Sequence, residues 1–367
     1  MRQRLSVLSS RNQAMHLLLI VGLILGLCGV TDAASKVTFD IDGTPVVDGK
    51  RFFPIGMWIY GLNTDVMADL HEHHVNTLVG NGINPGDLKL IEEHGMMMIP
   101  PASDAFLAAA KDSPALLGWY LEDEPEEHNI KPEDLKAKFE ALKKKEPTHP
   151  IGVTHNQLVG PERYKDSGHF TMTDVYPVTA KRTWPLDAVG RYAWQPKAVH
   201  GVSWPVFTFV QCFGGPDTDG GLWAQPLPHE VRFMAFSALI NRANGIFYFS
   251  YWPRAPITWA EVATTNRDIQ RLVPWLLAKG EEKKASASAE GVAVRAKKIG
   301  ESWLILAANG GKKSAGAEMS VDGLGERKLR MPFEAGREVA AKEGKWREAF
   351  EPFEVRVYWA GEEPARP

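Results

Sequence analysis

Short apolar runs alternate with amphipathic segments along most of the chain. The segments between the runs have helical spacing: in KPEDLKAKFEALKKK, Leu135, Phe139 and Leu142 fall on one face. Runs that are apolar throughout and separated by helices indicate parallel strands covered on their outer face. The apolar runs are FFPIGMWIYG, VNTLVGNG, GMMMIPPA, ALLGWYLEDEP, HPIGVTHN, FTMTDVYPV, PVFTFVQCFGG and GIFYFSYWP. Eight strand–helix units over about 250 residues predict a (β/α)8 barrel, which we expect at residues 36–280.

An open, doubly wound sheet is the competing fold class. Such sheets bind nucleotides with a Gly-rich loop after the first strand, whereas the chain reads GMWIYG there. Beyond the barrel, the charged and Ala/Ser-rich stretch 281–291 predicts a linker. Residues 292–363 then alternate between apolar and polar, with Val355, Val357 and Trp359 on one side of the last run. We therefore expect a small C-terminal antiparallel β-sandwich.

The first 33 residues have the composition of an export signal. Three arginines precede the apolar run LLLIVGLILGLCGV, and small residues follow it at Ala33 and Ala34. We expect cleavage after Ala33 and an exported, periplasmic or extracellular protein with no stable membrane span. A lipid anchor at Cys28 is the less favoured alternative, since Leu27 is bulkier than the residue such sites prefer. Cys212 is the remaining cysteine, so no internal disulfide is expected.

Composition and charge narrow the class of partner. The 367 residues carry a formal net charge of -3, which gives no electrostatic footprint for nucleic acid. The run HEHH at 71–74 lacks a third ligand at a suitable spacing, so neither a metal nor another cofactor is expected. A small or neutral substrate fits this balance better, and the sequence says nothing about oligomeric state.

Strand ends supply the candidate site, because a (β/α)8 barrel builds its active site from the carboxyl ends of its strands. The fourth run ends in GWYLEDEPEE, which places Glu122, Asp123 and Glu124 there, while Glu126 and Glu127 are expected in a solvated loop. Strand alternation sends Glu122 and Glu124 to one face and Asp123 to the other. The other strand ends contribute Trp58, Tyr60, Asn81, His155, Asn156, Asp174, Tyr176, Gln211, Tyr248 and Trp252. Aromatic faces with carboxylates and amides suit a sugar, which has apolar C–H faces and a rim of hydroxyls.

Several motifs in order resemble a known family. WYLEDEP resembles the acid/base strand of clan A glycoside hydrolases, where Asn-Glu-Pro carries the catalytic acid. DVYP, FVQCFGG and GIFYFSYW are similar to strands six to eight of beta-galactosidase-like barrel proteins. The resemblance implies hydrolysis of a glycosidic bond in a carbohydrate, with Glu124 as general acid/base. Two positions depart from the pattern: Asp123 replaces the asparagine, and strand seven ends in Gln211 where clan A has a nucleophilic glutamate.

These departures leave the second catalytic group open. Asp174 or Asp123 could be the second carboxylate, with its separation from Glu124 deciding between retention and inversion. Alternatively, Asp123, Glu124 and Tyr176 resemble the arrangement of chitinase-like and hexosaminidase-like enzymes, in which the acetamido group of an N-acetylated sugar attacks. A third alternative is a carbohydrate-binding barrel without activity. In the enzyme interpretations, the like charges of Glu122 and Asp123 are expected to raise the pKa of Glu124.

Overall fold

Three short antiparallel strands lie at the start of the described chain and cover the amino-terminal end of the barrel. They are β1 (Val37–Phe39), β2 (Pro45–Val47) and β3 (Lys50–Arg51). Val37 packs into the same apolar cluster as the side chains inside the barrel, and the ring of Phe39 lies 6.0 Å from that of Phe170. The computed structural model describes residues 34–216, 219–252 and 255–365, so the predicted export signal and Cys28 lie outside it.

Eight parallel strands form the central sheet. They are β4 (Ile55–Trp58), β5 (Thr77–Val79), β6 (Met97–Ile99), β7 (Trp119–Glu122), β8 (Ile151–His155), β9 (Phe170–Asp174), β10 (Val206–Gln211) and β11 (Gly245–Phe249). Their order in the sheet is β6-β5-β4-β11-β10-β9-β8-β7. Backbone hydrogen bonds then join β6 and β7, the first and last strands of this order. Leu117 N–H donates to the Met98 carbonyl and Tyr120 N–H to the Pro100 carbonyl, each at 2.9 Å. The sheet therefore closes, and the predicted (β/α)8 barrel is confirmed.

Helices cover the outer face of the barrel. They are Thr64–Glu72, Leu88–Glu93, Asp104–Ala110, Pro132–Lys145, Gly160–Arg163, Ala188–His200, Pro228–Ile240 and Pro256–Leu277. Leu135, Phe139 and Leu142 are buried, as their spacing predicted. No helix in the described ranges is long and apolar enough to cross a membrane.

Aromatic rings fill the barrel interior, and glycines on neighbouring strands make room for them. A Cβ on Gly152 would lie 2.1 Å from the ring of Phe170, and one on Gly56 would lie 2.0 Å from the ring of Phe247. Phe207 fixes both rings, at centroid distances of 5.1 and 5.6 Å. Since these rings touch on several sides, neither has space to move away from an added methyl group.

The C-terminal part is a β-sandwich of two antiparallel sheets, as predicted. Its strands are β12 (Glu281–Lys283), β13 (Ala285–Ala287), β14 (Val292–Ile299), β15 (Ser302–Asn309), β16 (Ala315–Val321), β17 (Arg327–Arg330), β18 (Glu338–Ala341), β19 (Lys345–Phe350) and β20 (Val355–Ala360). One sheet has the order β12-β14-β15-β20-β17-β18 and the other β13-β16-β19. Trp303, Tyr358 and Trp346 are buried between them. The stacked rings of Trp275 and Trp359, 5.4 Å apart, join the sandwich to the last barrel helix.

The linker predicted at 281–291 is wrong, because that stretch contains β12 and β13. Glu281 to Lys283 pair with β14, and Ala285 to Ala287 pair with β16. Alternate small residues of β13 pack on the sandwich core. Small and charged residues resemble a linker in composition, but here the cross-strand backbone bonds and the partner sheet determine the structure.

Substituting Gly152 by alanine should destabilise the fold by about 1–3 kcal/mol, since the added methyl group overlaps the packed ring of Phe170. Urea unfolding measures the effect. The matched control is Gly316→Ala in β16, where a Cβ meets nothing within 4 Å. Equal stability of the two variants would contradict the packing of the barrel interior described above.

Candidate active site

A cavity of about 670 Å³ opens at the carboxyl ends of the barrel strands. Loops after six of the eight strands contribute to its lining, which is the arrangement expected of a barrel active site. Its lining residues are Tyr60, Glu124, Glu127, Asn156, Asp174, Val175, Tyr176, Trp184, Phe213, Asp219, Trp223, Phe249, Ser250 and Trp252. A larger groove, about 1080 Å³, lies between the last barrel helices and the β-sandwich, away from the strand ends.

Asp174 and Glu124 form a pair of carboxyl groups at this cavity. Asp174 is only 7% exposed, and its Oδ2 accepts a hydrogen bond from the Tyr176 hydroxyl at 3.0 Å. No N–H or hydroxyl of the described residues donates to its Oδ1. The Asp174 carboxyl instead lies beside that of Glu124, within reach of a hydrogen bond. One proton between the two groups would satisfy this contact, with the more deeply buried Asp174 as the donor.

Burial is the main cause of the raised pKa values in this pair. It raises the pKa of Asp174 well above its ordinary value, and the nearby charge of Glu124 adds to the shift. Burial also raises the pKa of Glu124; the interaction with Asp174 opposes this shift, and the charges of Asp123 and Glu127 add to it. Two carboxylates in contact repel each other strongly when both are ionised, so the pair retains a proton at a pH where an ordinary carboxyl has lost it.

A break in the strand brings Glu124 to this position. The register of β7 on β8 shifts between Tyr120 and Glu122, and Glu124 has a left-handed backbone with φ 42°. Its N–H donates to the Thr154 carbonyl at 3.1 Å, which fixes the turn to the next strand. The predicted alternation is therefore wrong, because it requires a regular strand through Glu124. Glu122 points to the outer face, where its carboxylate accepts a hydrogen bond from Lys138 at 2.6 Å.

Asp123 lies beneath the cavity and is not part of its lining. Its carboxylate accepts a hydrogen bond from the hydroxyl of Tyr120, and burial raises its pKa. The Tyr120 ring packs edge-on against Trp58, with centroids 5.7 Å apart. Trp58 in turn packs under Phe249 at 5.6 Å. Asp123 and Trp58, both predicted site residues, thus support the floor of the cavity from inside the barrel.

Aromatic side chains form one half of the cavity, on the loops after β9, β10, β11 and β4. The ring of Tyr176 stacks on Phe249 at 5.3 Å and meets Phe213 edge-on at 5.0 Å. Tyr60 and Trp252 lie at the rim, where they are 55% and 51% exposed. Tyr60, Tyr176 and Trp252 all line the cavity, as predicted. Sequence reasoning missed Trp184, which lies ten residues beyond its strand and is 49% exposed.

Polar side chains on the loops after β7 and β8 form the other half. Glu127 Oε1 accepts hydrogen bonds from Asn156 Nδ2 at 3.1 Å and from Gln157 Nε2 at 3.0 Å. These two bonds lower the pKa of Glu127. Asn156 lines the cavity as predicted, and Glu127, which is exposed on its loop as expected, also contributes to the lining. The signal for Glu127 was its position three residues after Glu124, one tight turn away.

His155 and Gln211 lie elsewhere because each is bound by protein groups. His155 Nδ1 is 2.7 Å from Glu126 Oε1, and the imidazole stacks on Tyr164. Gln211 is fully buried, where its side-chain oxygen accepts from Val178 N–H at 2.9 Å and its amide donates to the Val178 carbonyl at 3.1 Å. The seventh barrel strand, β10, therefore ends in an amide that fixes the chain after β9. The predicted contact of Gln211 with substrate is wrong.

Tyr248 and Asn81 are also outside the cavity. Tyr248 is fully buried, and its hydroxyl donates to Asn266 Oδ1 of the last barrel helix at 2.8 Å. It points outward because it sits one residue before Phe249, whose ring lines the cavity. Asn81 is exposed on the loop after β5, which contributes no residue to the lining.

Comparison with known proteins gives similarity in structure only. No family model matches the chain, and the search of curated proteins found no match. A glycoside hydrolase family 5 structure from Bacteroides vulgatus ATCC 8482 is 11% identical, with a TM-score of 0.58 over 88% of this chain and 93% of that chain. A GH30 endoxylanase from Clostridium papyrosolvens C71 is 11% identical, with a TM-score of 0.55 over 89% and 100%. An alpha-amylase from Geobacillus thermoleovorans is 11% identical, with a TM-score of 0.57 over 84% and 98%. The fold is thus the barrel fold found in glycoside hydrolases, as the resemblance predicted.

The raised pKa of Asp174 gives a prediction for stability against pH. The folded state holds the Asp174 proton more tightly than the unfolded state, so the stability of the wild type falls as pH rises above about 4, the ordinary Asp value. Asparagine cannot ionise. Asp174→Asn should therefore gain stability relative to the wild type as the pH rises above about 4, the ordinary Asp value, in urea unfolding.

The control for this experiment is Asp112→Asn, because the Asp112 side chain is 82% exposed. Its stability relative to the wild type should hardly change over the same range. A difference for Asp174→Asn that is constant with pH would show that Asp174 ionises normally in the folded protein.

Proposed function

We propose that the protein is a glycoside hydrolase in which Glu124 is the general acid. The observation that carries the proposal is the adjacent pair of Glu124 and Asp174 at an aromatic-walled cavity, in which burial raises the pKa of both carboxyl groups. Cleavage of a glycosidic bond requires a proton on the departing oxygen, and an ordinary glutamate with a pKa of about 4.3 has lost its proton at neutral pH. A proton retained by the pair makes a proton donor available there.

Exposure assigns the two roles within the pair. Glu124 is partly exposed at the cavity, whereas Asp174 is nearly fully buried behind it. The departing oxygen of a substrate therefore meets Glu124 first. Asp174 acts as a positioning residue that holds the proton and passes it to Glu124, and Tyr176 fixes its orientation through the hydrogen bond to Oδ2.

The contact between Asp174 and Glu124 bears on the second catalytic group. Retaining enzymes separate their two carboxyl groups by about 5–5.5 Å and inverting enzymes by about 6.5–9.5 Å. The Asp174 and Glu124 carboxyls interact directly, which leaves no room between them for a sugar carbon or an attacking water, so Asp174 is not proposed as a nucleophile or as a base for water. We favour attack by the substrate's own acetamido group, which requires no second carboxylate and makes an N-acetylated sugar the substrate.

A carbohydrate-binding protein without activity is the second candidate. One observation favours it: the amide of Gln211 is bound to the Val178 backbone, so β10, the seventh barrel strand, ends without a carboxylate. Aromatic walls suit sugar binding whether or not a bond is cleaved.

Replacing Glu124 by glutamine tests the proposal. On a glycoside with a poor leaving group, Glu124→Gln should reduce kcat/KM by about 10²–10⁴-fold, because glutamine cannot donate the proton. On an aryl glycoside whose leaving group needs no proton, the loss should be far smaller. Steady-state kinetics on matched N-acetylhexosaminides with the two kinds of leaving group measures both values.

The control is Glu122→Gln, a substitution with the same chemistry on the outer face, which should retain full activity on both substrates. Equal losses for Glu124→Gln on both leaving groups would count against a role in proton donation. Binding of glycans by the wild type without any product would leave the carbohydrate-binding candidate as the function.

A further inference from the structure

The two halves of the cavity differ in chemistry and come from opposite parts of the barrel. The loops after β9, β10, β11 and β4 carry the aromatic residues, and the loops after β7 and β8 carry Glu124, Glu127 and Asn156. Sugar rings stack on aromatic side chains through their C–H faces. A ring held on the aromatic half therefore turns one edge of its substituents toward Glu127.

The carboxylate of Glu127 is held in place by amides and not by a cation. Asn156 and Gln157 both donate to Oε1, and none of the residues that the structure describes donates to Oε2. Within the same residues, Glu127 forms no ion pair with lysine, arginine or histidine. A fixed, ionised carboxylate with a free oxygen is an acceptor for hydroxyl groups of a ligand.

The charged groups in the described lining of the cavity all have one sign. Four carboxyl groups line it, those of Glu124, Glu127, Asp174 and Asp219, and the described lining contains no lysine, arginine or histidine. Asp219 is held by the indole N–H of Trp223 at 2.9 Å, a neutral donor. A concave site lined by one sign of charge attracts cations, repels anions and focuses its field on the ligand.

We propose that Glu127 is a specificity-determining residue, which binds the hydroxyl edge of an uncharged glycan and excludes glycans with a carboxylate or sulfate at that edge. The proposal rests on the function proposed above for the same cavity. Two hydroxyl groups can donate to the carboxylate, whereas an anionic substituent offers no donor and faces a like charge. Discrimination therefore comes from both the lost hydrogen bonds and the repulsion.

Matched pairs of ligands test this assignment in a binding assay. Each pair consists of an aryl glycoside and the glycuronide of the same ring, in which a carboxylate replaces the C6 hydroxymethyl group. A pair of N-acetylglucosamine oligomers with and without sulfate extends the set. The wild type should bind the uncharged member at least about tenfold more tightly, and added salt should narrow the difference by screening the repulsion.

Glu127→Gln should weaken binding of the uncharged member by about 10–100-fold, since hydrogen bonds to a charged acceptor are stronger than those to an amide. It should also reduce both the discrimination between pair members and its dependence on salt. The control Glu122→Gln changes the same charge on the outer face, where Glu122 is bound to Lys138, and should leave both properties unchanged.

Each outcome bears on one of the two proposals. Equal or tighter binding of the charged members by the wild type would overturn the inference, as would full discrimination by Glu127→Gln. Binding of uncharged members without hydrolysis would remove the proposed enzyme function and leave the selectivity intact. Hydrolysis of charged and uncharged members alike would support the enzyme function and remove the proposed selectivity. Binding of none of the ligands would contradict both proposals.

Discussion

The burial of Asp174 is the constraint on which the site depends. An ionised carboxylate with 7% exposure and a single hydroxyl donor lacks the hydrogen bonds that would replace water. A proton kept in the pair with Glu124 avoids this cost, in line with the raised pKa of both groups. That solution requires Glu124 to leave the regular path of β7, which the register shift and its left-handed backbone provide.

Other strand ends keep this pair in place. Gln211, at the end of β10, binds both polar groups of the Val178 backbone. It thereby fixes the segment that carries Asp174 and Tyr176. Phe249, at the end of β11, supports the ring of Tyr176, and Trp58 supports Phe249 from inside the barrel. A side chain that replaces an expected nucleophile thus has a structural task. The interior of the barrel is a rigid base for the cavity because glycine and aromatic residues interlock there.

Periodicity in the sequence predicted the barrel because eight buried parallel strands leave eight apolar runs, and the strand-end rule then located Glu124, Asp174 and Tyr176. Sequence reasoning failed where local backbone geometry decides which way a side chain points. A one-residue shift in β7 reverses the faces of Glu122 and Asp123, and nothing in LEDEP announces it. Glu127 was missed because its role depends on where the turn after Pro125 points. The strands in 281–291 were missed because pairing with distant strands, not composition, forms them.

Retention of a proton and rejection of anions have the same physical origin in this cavity. Burial is the main cause of the raised pKa of Glu124, and the charge of Glu127 adds to it, so the group proposed to repel a uronate also helps to keep the acid protonated. The amides of Asn156 and Gln157 lower the pKa of Glu127 and keep that charge in place as the pH falls. A lysine or arginine in the lining would weaken both effects at once. A lining whose described charged groups are all carboxyls therefore suits the proposed acid catalyst for uncharged sugars.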